Sequence, residues 1–230
     1  MDEIVIYPSG GFCNKLRATL SYYQFAKSQD KKLIVIWDNT SACNGFFLDY
    51  FEPIENILFV QNNSKKYKVF YNGCGIHKDF EIYIIPELKL LPNMINEVNQ
   101  RIDKLENNYI AIHVRRTDHI RDAKQNNLYT SDEDFYEFID NNINDNINDN
   151  LLNLYVATDN KDTYNIFKNK YSNKIKIDYP IELFNSLRHT SLKESIIDLY
   201  MCVYSKKFKG SGWSSFTDTI FQLRDLHKKN

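Results

Sequence analysis

The sequence predicts an α/β protein with two Rossmann-like domains that face a cleft. Apolar, β-branched segments alternate with amphipathic helical segments along almost the whole chain, a pattern typical of parallel sheets covered by helices. Residues 1–92 and 108–230 each show this alternation, and a helical segment at 93–107 separates them. A chain of 230 residues is long enough for two small domains, so we place one domain in each half.

The first half opens with a strand–helix–strand unit. EIVIYP at 3–8 and KLIVIW at 32–37 are apolar enough for buried strands, and the periodicity of 14–27 between them predicts a helix. Beyond this unit, the turn signals DNTSACNG and YNGCG separate two shorter strand candidates at 56–60 and 67–71. We therefore expect a parallel sheet in this half.

The connecting helix is predicted over 93–106, because Ile95, Val98, Ile102 and Leu105 recur at spacings of three and four. The second half then alternates strands with helices. Its predicted strands are 108–114, 152–159, 174–177 and 206–212, and its predicted helices are 131–143, 162–171, 191–204 and 214–226.

Capping patterns mark the start of two of these helices. Ser131 with Asp134 has the spacing of an N-cap pair. Ser191 with Glu194 has the pattern of a capping box, in which each side chain accepts a hydrogen bond from the other residue's backbone N–H. Both patterns support the helices predicted downstream of them.

Composition argues against several classes of partner. Lys and Arg number 29 against 30 acidic residues, a net charge of −1, so no overall field favours nucleic acid or an anionic membrane. No apolar run approaches the ~18 residues of a membrane helix, and the N-terminus lacks a signal-peptide pattern, so we expect a cytoplasmic protein without a membrane span. Widely spaced cysteines without a C-x-x-C pair predict free thiols, and histidines without metal-ligand spacing predict no metal; the cysteines are Cys13, Cys43, Cys74 and Cys202.

The segment HVRRTD closes an apolar strand with four ionisable residues. Strand alternation puts His113 and Arg115 on one face and Arg116 on the other. A guanidinium stays charged at any working pH, and its planar fork fits phosphate oxygens. One arginine can therefore bind an anion while its neighbour braces the loop, with Asp118 orienting one of them. The alternative is a surface ion-pair cluster, which usually stabilises a protein by under ~1 kcal/mol.

The segment GGFCNKLR is a second candidate, between the first strand and the first helix. Gly10 and Gly11 allow the backbone to approach a ligand closely, and the helix N-terminus offers free N–H groups. Asn14 and Arg17 follow within the helix. Taken alone, the segment also fits a tight turn with Asn14 as the helix cap.

Three more positions are candidates, each with a structural alternative. Asp159 ends the strand segment YVATD, where it either joins a site or caps the next helix. Asp198 is the only charge in an apolar stretch of its helix, and it suits either a guanine edge or an arginine of the protein. In KGSGWSSF, Ser214 and Ser215 stand where a helix begins, so they form either a phosphate cradle or an ordinary serine cap.

Together, GGFCNKLRA, IHVRRTD, YVATD and GSGWSSF resemble, in this order, the motifs of the GDP-fucose-dependent fucosyltransferases. The likeness is strongest for the α-1,6-fucosyltransferases, including the rhizobial nodulation enzymes, and weaker for the protein O-fucosyltransferases. It covers the second half well but the first half only through the turn at 10–17. It implies the GT-B arrangement of two domains and an inverting, metal-independent transfer of fucose from GDP-fucose to a glycan. In that arrangement 1–92 lies on the acceptor side and 108–230 binds the nucleotide sugar.

The resemblance also implies roles for matching residues. Arg115 would hold the β-phosphate and stabilise the departing GDP, while Asp198 would accept hydrogen bonds from the guanine edge. The full nucleotide-sugar site would comprise His113, Arg115, Arg116, Asp118, Asp159, Asp198, Ser214, Ser215 and Phe216, with Gly10, Gly11, Asn14 and Arg17 lining the cleft from the first domain.

Two departures from the family pattern matter. The α-1,6 enzymes carry a glutamate eight residues after the first-motif arginine, where this chain has Ala123 next to Asp122. The candidates for the general base are therefore Asp122, which we assign, and His119 and Asp118 as alternatives. The chain is also short for a GT-B enzyme, which predicts a reduced N-terminal domain. An inactive module that binds a GDP-sugar or a glycan is the alternative function.

Overall fold

A computed structural model describes residues 3–61, 67–116, 120–144, 152–173, 176–178 and 190–229. The chain divides into two compact units, one formed by Met1–Met94 with Phe221–Asn230 and the other by Ile95–Ile220. This division differs from the domain bounds given above. Residues 95–107 group with the second unit, and the last turns of the C-terminal helix group with the first.

The first unit contains a parallel four-stranded sheet in the order β3-β2-β1-β4. Its two central strands, β1 and β2, are mostly buried, and helix α1 packs against both, as expected for a sheet that a crossover helix covers. The elements are β1 (Glu3–Pro8), α1 (Phe12–Ser28), β2 (Lys32–Ile36), β3 (Ile57–Val60) and β4 (Tyr71–Gly73).

The strand predicted at 67–71 is displaced. Pairing with β1 begins only at Tyr71, opposite Ile6. Tyr67 and Val69 instead pack against the apolar cluster formed by Val5 and its neighbours on β2. Their apolar character therefore reflects side-chain packing rather than strand pairing, which is why the sequence pattern misplaced the strand.

The second unit repeats the same topology with a parallel sheet in the order β7-β6-β5-β8. Every residue of β5 and β6 is buried, as expected for central strands covered on both faces. The elements are α2 (Pro92–Lys104), which starts in the first unit, β5 (Tyr109–Val114), α3 (Ile120–Gln125), α4 (Asp132–Asn144), β6 (Asn153–Thr158), α5 (Lys161–Tyr171), β7 (Ile177–Asp178), α6 (Leu192–Tyr204), β8 (Phe208–Gly210) and α7 (Ser215–Lys229).

The two faces of the second sheet have different partners. Ile110, Ile112 and Val114 of β5 belong to the apolar cluster that includes Phe135 of α4 and Phe167 of α5. The opposite face packs against α6, where the Tyr109 hydroxyl donates to the carbonyl of Met201 at 2.8 Å. The short helix α3 was not predicted, because only Ala123 is buried among its six residues and no periodicity results.

Helix α2 buries a charge in its apolar stripe. Met94, Val98, Arg101 and Leu105 are all less than 4% exposed, whereas Ile95, which we placed in the stripe, is 44% exposed. Arg101 Nη2 donates to both carboxylate oxygens of Glu194 at 2.8 and 2.7 Å. The apolar spacing thus predicted the helix correctly, and of its four residues Val98 and Leu105 are buried.

That ion pair also changes the predicted capping box of α6. The Ser191 hydroxyl accepts from the backbone N–H of Glu194 at 3.1 Å, so Ser191 caps the helix. The carboxylate of Glu194 is held by Arg101 instead of being free to complete the box. By contrast, the Ser131–Asp134 pair forms both reciprocal bonds, at 3.1 and 2.7 Å.

All four cysteines are free, as predicted, and only Cys74 is exposed. Within the described ranges, none of the helices combines the length and apolar character needed to cross a bilayer.

Replacing Arg101 tests the energetic weight of the buried ion pair. Arg101→Leu leaves the Glu194 carboxylate buried without a compensating charge. We therefore expect a loss of roughly 3–5 kcal/mol in the free energy of unfolding, measured by urea denaturation. Arg101→Leu combined with Glu194→Leu should recover most of that loss, because the uncompensated charge is removed as well.

The matched control is the exposed ion pair of the same two helices, Lys193 with Glu97. Its N–O distance is 2.7 Å and each side chain is 42% exposed. Glu97→Gln should cost less than ~1 kcal/mol. An equal loss in Glu97→Gln and Arg101→Leu would contradict the assignment.

Candidate functional site

The candidate site lies at the carboxyl ends of β5 and β8. The chain proceeds from β5 to β6 and β7 on one side and then crosses to β8 on the other, so β5 and β8 flank a topological switch point. In open parallel sheets, ligands bind outside the carboxyl ends of strands at such a point. His113 pairs with Gly210 in the ladder, and the backbone N–H of Arg115 donates to the Ser211 hydroxyl at 2.9 Å. The first and last candidate segments therefore meet here.

His113 is buried beneath the start of α7. Its Nδ1 lies 2.9 Å from the Thr217 hydroxyl oxygen, and its ring centroid lies 4.6 Å from that of Phe216. Burial, together with the positive charges of Arg115 and Arg116, lowers the pKa of His113 to about 3. The imidazole is therefore neutral at physiological pH and acts here as a positioned hydrogen-bonding group.

Arg116 is fixed by contacts on the other face of the strand. Its Nη2 donates to Asp132 Oδ1 at 2.6 Å, and its guanidinium lies 5.3 Å from the ring centroid of Tyr129 and 5.7 Å from that of Phe135. Its Nη1 also donates to the carbonyl of Arg115 at 3.2 Å. This arginine thus holds the loop after β5 against α4, while the half-buried Arg115 follows His113 on the site side.

Asp159 contacts the same loop. Its Oδ1 accepts from the backbone N–H of Arg116 at 3.1 Å. The cap of α5 is Asn160, whose side chain accepts from the N–H of Thr163 at 2.8 Å, so the capping alternative for Asp159 was wrong. The predicted residues Asp118 and His119 lie outside the described residues.

The loop between β8 and α7 is closely packed. Ser211 and Ser214 are buried, and the N–H of Gly212 donates to the Thr130 hydroxyl at 3.0 Å. A Cβ at Gly212 would lie 2.1 Å from the carbonyl oxygen of Leu128, so only glycine fits there. Helix α7 begins directly after Ser214, which takes the cap position: the N–H of Thr217 donates to its hydroxyl at 3.5 Å and the N–H of Asp218 donates to its carbonyl at 3.0 Å. Ser215 and Phe216 open the helix, and the Phe216 ring lies against His113 at the end of β5.

Asp198 belongs to a buried polar network that the sequence did not reveal. The Tyr155 hydroxyl donates to Asp198 Oδ1 at 2.6 Å, and Arg101 Nη1 lies 3.4 Å from that hydroxyl. Burial raises the pKa of Asp198 well above its usual range, although the Tyr155 hydrogen bond and the Arg101 charge act in the opposite direction. Of the two partners considered for Asp198, an internal one is therefore present, but it is a tyrosine. The position of Arg101 among the apolar residues of α2 was the available signal for a buried polar network.

The predicted residues of the first unit lie at the carboxyl edge of its own sheet. Gly10 has φ of +85°, and Gly11, not Asn14, is the N-cap of α1. Asn14 lies in the first turn, where its Nδ2 would be 2.9 Å from a Cβ at Gly10. Arg17 Nε donates to the carbonyl of Cys74 at 2.9 Å.

Lys15 was missed by the sequence reading. The side chain is 1% exposed, and its Nζ donates to the carbonyl of Asp38 and lies 5.3 Å from the ring centroid of Trp37. Burial lowers its pKa, which is partly offset by Cys43 and Asp38. Its position one residue after Asn14, within the candidate segment GGFCNKLR, was the available signal.

Neither a metal site nor a clear general base emerges from the part of the chain that the structure describes. No three His, Cys, Asp or Glu side chains in these ranges are grouped so that they could hold an ion. Asp122, the tentative base, lies in the first turn of α3 and is exposed.

Comparison with known proteins identifies the fold. The chain matches the crystal structure of NodZ α-1,6-fucosyltransferase co-crystallised with GDP at 12% identity and a TM-score of 0.65, over 96% of this chain and 92% of that one. It matches fucosyltransferase NodZ from Bradyrhizobium at 12% identity and a TM-score of 0.64, over 96% and 93%. It matches POFUT1 in complex with GDP-fucose at 12% identity and a TM-score of 0.66, over 97% and 94%. The chain has the fold of these fucosyltransferases.

No protein-family model matches the chain, and the search of curated proteins gives no match. The predicted α/β class is confirmed by this fold and by the two parallel sheets. What NodZ and POFUT1 bind bears on the function considered below.

The buried His113 predicts an acid dependence of stability. The pKa of His113 falls from 6.5 to about 3 on folding, so between these values the unfolded chain binds a proton that the folded protein does not. Wild-type stability relative to His113→Gln should therefore fall as the pH is lowered through this window, by up to about 1.4 kcal/mol per pH unit, and stay constant above it. Urea unfolding of both proteins across the window measures this difference, and parallel pH profiles would contradict it.

Proposed function

We propose that this protein is a metal-independent, inverting glycosyltransferase that transfers fucose from GDP-fucose to a glycan acceptor. One observation carries the proposal. The backbone N–H of Arg115 donates to the Ser211 hydroxyl at 2.9 Å, which joins a cationic strand end to the loop that opens α7. The match to fucosyltransferase structures that contain GDP or GDP-fucose supports this choice of donor.

The proposed donor site uses three kinds of group. The guanidinium of Arg115 binds the β-phosphate, and the N–H groups of Ser215 and Phe216 at the start of α7, with the hydroxyls of Ser214 and Ser215, bind the diphosphate. Asp198 accepts hydrogen bonds from the guanine edge, in an orientation that its 2.6 Å bond to Tyr155 restricts. The neutral His113 positions the start of α7 through Thr217.

The chemistry follows from charge development. The acceptor hydroxyl oxygen forms a bond to the anomeric carbon while the bond from that carbon to the β-phosphate oxygen breaks, and GDP leaves from the opposite face. Negative charge therefore grows on the diphosphate, where Arg115 and the helix N–H groups stabilise it without reorganisation. The acceptor proton passes to a base, for which Asp122 is the proposed group.

The direct test is donor turnover in the presence of EDTA. We expect GDP release from GDP-fucose, measured by a coupled assay, to persist when divalent ions are chelated, and to increase with a suitable glycan. GDP binding without turnover across a broad glycan panel would instead identify an inactive binding module. No GDP binding by calorimetry would refute both the transferase and a GDP-sugar-binding module, and would leave glycan binding as the alternative.

Arg115→Ala should lower the transfer rate by about 10²–10³-fold or more while the protein stays folded. The reason is that the fixed positive charge stabilises the leaving diphosphate more than it stabilises the bound donor. Single-turnover rates and circular dichroism measure the two effects separately.

Arg121→Ala is the matched control, because Arg121 is exposed on α3 in the same unit. It should retain the wild-type rate. A near wild-type rate in Arg115→Ala would show that another group stabilises the leaving diphosphate.

A further inference from the structure

Trp213 combines two properties that its surroundings do not explain. It is 47% exposed, although a tryptophan is the largest apolar side chain available. Its φ is +53°, in the left-handed region that bulky residues rarely adopt and that costs energy without a glycine. Both features are unfavourable for folding, so packing in the core does not explain why a tryptophan occupies this position.

The strain at Trp213 is maintained by fixed neighbours on both sides. The N–H of Ser211 donates to the carbonyl of His113 at 2.8 Å, and Gly212 is anchored to Thr130 at 3.0 Å. On the other side Ser214 is 5% exposed and opens α7. The backbone therefore presents the indole at the surface, in the middle of the loop that forms the proposed diphosphate site.

A second exposed apolar residue lies beside this loop. Leu128 is 48% exposed, and its carbonyl oxygen and Cβ would lie 2.1 and 3.4 Å from a Cβ at Gly212. Two exposed apolar residues thus adjoin Gly212, Leu128 through space and Trp213 along the chain, next to a candidate site whose other members are arginine, serine and backbone N–H groups.

We propose that Trp213, with Leu128, forms the face that holds the 6-deoxyhexose of the nucleotide sugar. The inference rests on the proposed function and adds the determinant of sugar choice, for which the sequence offers no motif. The occupant follows from covalent geometry: the hexose is bonded to the β-phosphate, and Trp213 immediately precedes the two serines of the diphosphate site.

The chemistry of the pair fits such a sugar. The C–H bonds of a pyranose face stack on an indole, and the C6 methyl group of fucose is apolar like the Leu128 side chain. Mannose carries a hydroxyl at C6, and covering that hydroxyl with apolar side chains leaves it without a hydrogen-bond partner. The pair therefore favours GDP-fucose over GDP-mannose.

Calorimetric titrations with GDP, GDP-fucose and GDP-mannose, all with EDTA, test the proposal. Wild-type protein should bind GDP-fucose more tightly than either other ligand. Trp213→Ala should keep the GDP affinity and lose roughly tenfold of the GDP-fucose affinity, whereas Trp213→Phe should retain most of it. Ile166→Ala is the matched control, because Ile166 is an apolar residue of the same unit with 45% exposure, and it should change none of the affinities.

A purely structural role for Trp213 predicts different results. Under our proposal, Trp213→Gly relieves the left-handed strain and removes the sugar-binding ring. Its melting temperature should therefore equal or exceed that of the wild type, while its preference for GDP-fucose over GDP is lost. Equal loss of GDP and GDP-fucose affinity in either variant would show that the ring only supports the loop. An unchanged ratio of the GDP-fucose affinity to the GDP affinity would also overturn the inference. If the acceptor KM rises while that ratio is unchanged, the ring contacts the acceptor instead of the donor sugar. Failure of the wild type to bind GDP would instead refute the proposed function, and the inference with it.

Discussion

The pairing of β5 with β8 is the constraint on which the site depends. These strands are distant in sequence but adjacent in the sheet, and His113 pairs with Gly210 in the last position of the ladder. Beyond this pair β8 ends, whereas Val114 of β5 still pairs with Thr158 of β6. The N–H of Arg115 then donates to the hydroxyl of Ser211. A one-residue shift in this register would turn His113 towards α4 and α5 and separate Arg115 from the start of α7. The charge arrangement of the site is therefore a consequence of strand register.

The charged groups of the second unit have different structural roles, which depend on their contacts. Arg116 has an aspartate and two aromatic rings as partners, so its charge is used to fasten a loop. The charge of Arg101 is compensated by Glu194 in the core. Arg101 also donates to the Tyr155 hydroxyl, which in turn donates to Asp198. Such networks hold side chains in one geometry, because breaking any member leaves a buried polar group unsatisfied. The Asp198 carboxyl group is therefore restrained by its bond to Tyr155.

Local pattern was enough to predict most of the strands and helices, because parallel strands buried on both faces and amphipathic helices have distinct periods. It also predicted that His113 and Arg116 lie on opposite faces of β5. It could not predict that Tyr155 donates to Asp198, because the two residues are 43 positions apart and meet only through the packing of α6 on β6. The burial of Arg101 on α2 could not be predicted for the same reason, because the carboxylate that compensates its charge belongs to Glu194 on another helix. The left-handed φ of Trp213 leaves no trace in composition or periodicity.

The central claim is that the guanidinium of Arg115 binds the β-phosphate of the nucleotide without a metal ion. Its most direct test is a nuclear magnetic resonance titration that follows the arginine Nε–H signals in EDTA, with GDP and with GMP, which lacks the β-phosphate. The account predicts that the Arg115 signal shifts with GDP and stays nearly unchanged with GMP, while the Arg116 signal shifts with neither. Equal shifts of the Arg115 signal with both nucleotides, or no shift with GDP at saturation, would contradict it.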